Sequence, residues 1–224
     1  MHAPTSSAPA TPFGEPTPLG LLGLAIGCAA LLPIAFGMVP SEPARAAAMF
    51  GTAAWFCLLF GAGCQFLAGI MSLANKNTLG GTLLTTFSFN WVMNWYTLSE
   101  AAAGRALDPT VAFSVDVTFL VIFVVLTYAF GFYSKLLFFF LVDIDALYAL
   151  RIARHLLGHG HALSGALGLG VGVATLVLIA IALYISFALL VNPAAGRAVF
   201  PTSGPMFRAT TPDVANAHAE SSSK

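Results

Sequence analysis

LSGALGLGVGVATLVLIAIALYISFALLV, residues 163–191, contains no charged side chain. At about 1.5 Å per residue it exceeds the ~20 residues a helix needs to cross a hydrocarbon core roughly 30 Å thick. Lipid admits only helices or closed barrels, because every backbone group must find its partner inside the protein. A run this long without period-two alternation argues for a helix. Five further apolar segments precede it: Leu19 to Val39, Ala46 to Leu73, Leu79 to Leu98, Val111 to Tyr133 and Leu136 to Leu156. The connections are short, so successive helices should pack antiparallel. The expectation is an all-α integral membrane protein with six transmembrane helices.

Composition points the same way. Of 224 residues, 58% are hydrophobic and 8% charged, and the mean hydropathy is +0.87. A soluble domain carries about 25% charged residues, so a wet surface cannot be built from this chain. Nine basic and nine acidic residues leave no basic face for nucleic acid, and the richness in Leu, Phe and Val excludes disorder for most of the chain. The partner implied is a lipid bilayer. Cys28, Cys57 and Cys64 lie inside apolar runs with no CxxC spacing and read as small packing residues. Residues 1–18, rich in Pro, Ser, Thr and Ala, lack the positive n-region of a signal peptide. They read as a flexible tail before a transmembrane domain over 19–200, with a second flexible tail over 201–224. With both termini on one side, Lys76, Lys135, Arg197 and Arg208 fall there and Arg45, Arg105, Arg151 and Arg154 on the other. The positive-inside rule therefore gives no orientation.

Gly20, Gly23 and Gly27 on the first segment, and Gly165, Gly168 and Gly172 on the sixth, form small-residue stripes that let helices approach closely. The third segment is the most polar. Thr82, Thr86, Asn90 and Asn94 follow at four-residue steps, a hydroxyl and amide stripe beside Phe87, Phe89, Trp91 and Trp95. The stripe either lines a water-filled path or hydrogen-bonds neighbouring helices, and Gln65 in GAGCQFLAG faces the same two alternatives.

Asp143 and Asp145, in FFFLVDIDALYAL, are the most demanding residues, since an Asp at the bilayer centre costs about 2.5–3.5 kcal/mol on insertion scales. At i and i+2 they point about 200° apart, so one lining position cannot hold both. Each is a candidate proton carrier, the alternative being that the helix ends near them and both are wetted. His155, His159 and His161 form HLLGHGH, but Gly158 and Gly160 break the helix a His pair would need. A solvated loop is expected, with no metal and no cofactor. There is no phosphate loop, nucleophile elbow or metalloprotease helix, so no enzyme is expected.

Four pieces carry a family resemblance. PTPLGLLG, with Pro16, Pro18, Leu19, Gly20 and Leu21, is similar to the signature NPAPLGLxGF before a first helix. GAGCQFLAGIMSLANKNTLGGT (61–82) resembles QxFAG and GNT elements, TTFSFNW continues the match, and GRAVFP (196–201) resembles a closing GRxxLP. In order and spacing the chain resembles the acetate uptake transporter family, which includes the succinate–acetate permeases and fungal relatives in acetate uptake and ammonium export.

The resemblance implies a six-helix protomer of urea-channel-like architecture, assembled as a homo-hexamer, carrying a small monocarboxylate (acetate, or succinate) in a proton-linked or channel-like manner. It also implies a constriction of a Phe, a Tyr and a Leu from the first, third and fifth helices, positions that fall on Leu24, Phe87 and Val142. Leu24 and Val142 shorten two of these side chains, Phe87 removes a hydroxyl, Glu15 replaces the signature Asn, and Asp143 falls beside the constriction. These departures motivate two alternatives: a channel for a neutral or cationic solute such as urea or ammonium, and a non-transporting membrane subunit of a larger complex. The uncharged presequence and short tails suggest a bacterial inner membrane.

Overall fold

A computed structural model describes residues 11–105, 107–158 and 161–208. These form six continuous helical rods: α1 (Thr17–Ala35), α2 (Pro43–Ala74), α3 (Thr78–Ala102), α4 (Pro109–Phe130), α5 (Lys135–Leu157) and α6 (Ser164–Ala195). No strand occurs among the described residues. Each rod coincides within a few residues with one of the apolar segments. Four of them, α1, α2, α4 and α6, are long and apolar enough to cross a membrane by length and composition. The other two, α3 and α5, carry the asparagine stripe and the Asp and Arg residues.

Local chemistry sets the ends. α1, α2 and α4 each begin with proline in the first turn, where its missing N–H costs nothing and its fixed φ suits the helix. Asn77 caps α3 by accepting a hydrogen bond from the Gly80 amide at 2.9 Å, and Asp108 caps α4 by accepting from Thr110 and Val111 at 2.9 and 3.0 Å. α6 stops at Gly196, which adopts φ +63°, the left-handed conformation glycine accepts without strain.

α1 packs most extensively against α6, and also against the middle of α2; α2 packs on α3, α4 on α5, and α5 on α6. The resulting order around the bundle is α3, α2, α1, α6, α5, α4. Residues Cys57–Cys64 of α2 are π-helical, a wider turn that often marks a functional segment. It fits between α1 and α3 because Gly23 and Gly61 have no side chains. A Cβ at Gly23 would collide with Cys64 and the Phe60 carbonyl, and one at Gly61 with the Trp91 ring. Gly20 and Gly27 likewise press on Leu84 and Trp91, whereas nothing stands near Gly165. The N-terminal stripe is thus a packing face, and the start of the C-terminal stripe is not. Cys28 and Cys57 are buried free thiols and Cys64 is half-buried.

Two boundaries differ from the sequence reading. α1 already begins at Thr17, and Asn75 holds the segment before it, accepting from the Phe13 amide at 3.1 Å and donating to the Phe13 and Gly14 carbonyls. Residues 201–208, read as tail, fold back over the bundle. Tyr184 donates to the Pro201 carbonyl at 2.8 Å, the Met206 and Phe207 amides donate to the Gly131 carbonyl, and the Phe207 ring packs among Tyr128, Phe132 and Phe138. A polar, proline-containing composition hides such a strap, because its anchors are supplied by Tyr184, the Gly131 carbonyl and the rings of Tyr128, Phe132 and Phe138.

Candidate functional site: two hollows meeting at Phe87

The interior faces of the helices follow from the 3.6-residue repeat. On α3, Leu83, Leu84 and Phe87 line one hollow, of about 380 Å³. Phe87, Asn90, Trp91 and Asn94 line a second, of about 260 Å³. On α5, Leu137 and Phe140 belong to the first and Ile144, Leu147 and Tyr148 to the second. On α1, Leu21 lines the first and Cys28 and Leu31 the second. Phe87 is the residue common to both.

Between the two levels lie Leu24 on α1 and Leu141 on α5, both 0% exposed. Leu24 is three residues from Leu21 and four from Cys28; Leu141 is four from Leu137 and three from Ile144. Those spacings keep each on the lining face of its helix. Phe87 meets Phe123 of α4 edge to face at 5.1 Å, and Phe123 stacks on Tyr148 at 5.6 Å. The barrier between the hollows is therefore apolar and aromatic.

The sequence-derived positions fare unequally. Leu24 and Phe87 sit at this level. Val142 does not; it is 38% exposed on the outer surface, and Leu141, one residue earlier, takes the buried place. One residue is 100° on a helix, so an alignment shift of one exchanges an inner face for an outer one. Gln65 lines the first hollow, 1% exposed, with a buried Oε1 lacking a partner among the described residues. Asn90 and Asn94 line the second, but Thr86 lies in a groove beside α4 with Ser114 and Thr118, and Thr82 is exposed. Each four-residue step overshoots a full turn by about 40°, so the stripe winds off the lining face. Hydroxyls along the helices are largely satisfied by their own backbone: Ser88 donates to the Thr85 carbonyl, Thr175 to Val171 and Ser186 to Ala182.

Asp143 and Asp145 line neither hollow; they flank the buried face of α5 on opposite sides. Asp145 accepts a hydrogen bond at 2.7 Å from Thr127 of α4, which ties two helices together. Asp143 is half-buried, with Oδ2 unpartnered among the described residues. Of the histidines, His155 stacks on Phe113 at 4.6 Å, His161 Nδ1 accepts from the Leu163 amide at 3.2 Å, and His159 lies outside the described residues.

The hollows differ in charge. The first is bordered by Glu15, Asn77, Thr202 and Ser203, with Glu15 accepting from the Thr17 amide at 3.0 Å. The second carries Arg151 and Arg154. Arg151 bonds Asp116 of α4 at 3.0 Å and lies over the Tyr148 ring at 5.5 Å. Sequence reasoning left these arginines at a helix end and missed Leu141, Phe123 and Tyr148. The spacing Leu137, Leu141, Ile144, Tyr148, Arg151 was the signal that could have found them.

An all-helical bundle of apolar rods around two axial hollows, closed from each other by buried apolar side chains, defines the class: an integral membrane protein with the fold of a channel. The chain is similar to a solved structure described as the bacterial acetate channel SatP, with a TM-score of 0.73 and 21% identity, covering 85% of this chain and 99% of that one. It therefore has the acetate channel's fold, and the resemblance to the acetate uptake transporter family is borne out at that level. A second relative, the glyoxylate pathway regulator of Yarrowia lipolytica (strain CLIB 122 / E 150), is 32% identical over 96 residues, 43% of this chain. The chain spans only 33% of that relative's length. No protein-family model matches.

Proposed function

We propose that this chain forms a transmembrane path for a small monocarboxylate such as acetate, running from the Glu15-side hollow past Leu24, Phe87 and Leu141 into the arginine-side hollow. The observation that carries the reading is the meeting of two hollows from opposite ends of the bundle at one aromatic side chain. The fold shared with an acetate channel supports the same solute class. In this reading all six rods cross the bilayer, α3 and α5 being the less apolar because they line the path. Protomers associate as a homo-hexamer in a bacterial inner membrane, each with its own path, and proton linkage is carried by Asp143 or Asp145 rather than by a residue lining the hollows.

The test is uptake of labelled acetate into proteoliposomes, with protein-free vesicles subtracted because acetic acid crosses lipid unaided. Saturable uptake above that background, faster with an inward proton gradient, is the expected result. Background-level uptake at every pH from acid to neutral overturns the reading. The cation alternative predicts that Asp143→Asn abolishes cation flux, and unchanged flux counts against it.

A further inference from the structure

On its outer side the bundle carries a groove of about 530 Å³ between α1 and α2, apart from both axial hollows. Small side chains and a proline make it: Ala29, Ala30 and Pro33 line it from α1, Ala48 and Thr52 from α2, and Phe56 is its last residue along α2. No lining side chain is charged. The Thr52 hydroxyl donates to the Ala48 carbonyl at 2.8 Å, so the side chains present an apolar wall.

The groove has one charged neighbour by register. Arg45 precedes Ala48 by three residues, Thr52 by seven and Phe56 by eleven, which puts it on the same face of α2, within about 20° of the last two. It is exposed and forms no salt bridge among the described residues, although Glu42 lies three residues earlier. In the first turn of α2 a positive charge opposes the helix dipole, so its own helix gains nothing from it.

Length separates the candidate occupants. From Arg45 to Phe56 the helix rises about 16 Å, half of a hydrocarbon core roughly 30 Å thick. The π-helical turn begins at Cys57, and from there on Leu59, Phe66 and Leu67 project as exposed bulky side chains. A helix of a second copy would need a groove through both leaflets. A lipid tail needs one leaflet and a headgroup partner at its end, and a guanidinium suits a phosphate.

We infer that the α1–α2 groove holds one anionic phospholipid, taken from the leaflet at the N-terminal end of α2. Its tail lies against Ala29, Ala30 and Thr52 and its phosphate at Arg45. The site is independent of what the axial path carries.

Native mass spectrometry of the purified protein tests this, with phosphatidylglycerol and phosphatidylcholine of identical chains added in equal amounts. One phosphatidylglycerol per protomer should be retained, favoured about fivefold over phosphatidylcholine, the worth of one basic residue at an anionic membrane surface. Arg45→Gln should remove the preference and Arg45→Lys keep it. Ala29→Phe, which fills the groove from an exposed position, should cut retention of both lipids. An equal ratio in parent and Arg45→Gln, or unchanged retention in Ala29→Phe, overturns the inference and leaves Arg45 an ordinary interfacial anchor. Oxidative cross-linking of Ala29→Cys into dimers in membranes, absent from the parent, overturns it too, because a second copy then sits in the groove.

Discussion

On one side of Phe87 the polar wall is assembled from segments far apart in sequence: Glu15 before α1, Gln65 on α2, Asn77 before α3, and Thr202 and Ser203 from the folded-back strap. On the other side it comes mostly from two helices, Asn90 and Asn94 on α3 and Arg151 and Arg154 on α5. Both sides share the same apolar floor. The floor of Leu24, Phe87 and Leu141 is buried and carries no charge, while the walls differ in the charged groups they hold, Glu15 on one side and Arg151 and Arg154 on the other. A helix-borne wall is fixed by local spacing, whereas a wall of connections depends on tethers such as Asn75 and Asn192.

Removing the shared floor should have the largest effect. Phe87→Ala is expected to join the hollows, to raise leak of acetate and of larger solutes in proteoliposomes, and to cost about 3–5 kcal/mol of stability, read as a drop in the thermal unfolding midpoint in detergent. The register of the barrier is tested by a pair: Leu141→Ala should cost about 2–5 kcal/mol and also raise leak, while Val142→Ala on the outer surface should stay within about 0.5 kcal/mol and leave flux unchanged. The reverse pattern would restore Val142 to the barrier and break the comparison.

A smaller, one-sided effect is expected from Asn192→Ala. Asn192 accepts from the Val199 and Phe200 amides at 2.9 Å and donates to the Phe200 carbonyl at 2.8 Å. Its loss should loosen the turn that leads into the strap by about 1–3 kcal/mol, seen as faster hydrogen exchange at those two amides, with Trp91 fluorescence on the other side unaltered. Smallest of all is the rim pair of Glu100 and Arg105, bonded at 2.6 and 2.7 Å. The hydrogen bond from Arg105 holds the Glu100 carboxyl below the ordinary glutamate range. A lowered value contributes stability above the ordinary range and loses it as pH falls through the lowered one. With Arg105 exposed and Glu100 half-buried, the pair is screened by solvent on one side and worth little. In Arg105→Gln the Glu100 titration, followed by carbon NMR, should move back up while the unfolding midpoint stays put.

Much of the scaffold was legible because apolar length is a property of consecutive residues. All six rods coincide with segments read from the sequence, and the glycine stripe on α1 packs as its spacing suggests. The site was legible in part. Phe87, Gln65, Asn90 and Asn94 line the hollows and Leu24 lies between them, but Thr86 turned out of line because a four-residue step is longer than one helical turn. Val142 missed because alignment across a helix of Phe, Leu and Val leaves register undecided, and one residue changes the face. The strap over 201–208 was invisible, since nothing in PTSGPMFR announces that Gly131 will accept two of its amides or that three aromatic rings will hold Phe207.

The sequence by itself determined a membrane-embedded, all-helical chain, with no charge asymmetry to orient it and a polar third helix. Those properties depend on composition and on neighbours a few residues apart. Only the tertiary structure decided which side chains converge. It put Leu141 rather than Val142 on the buried face between the hollows, tied Asp145 to Thr127 outside both of them, and gave the two hollows opposite polar character. Convergence depends on the rotation of each helix about its own axis, and that angle is set by packing between helices, not by any one of them.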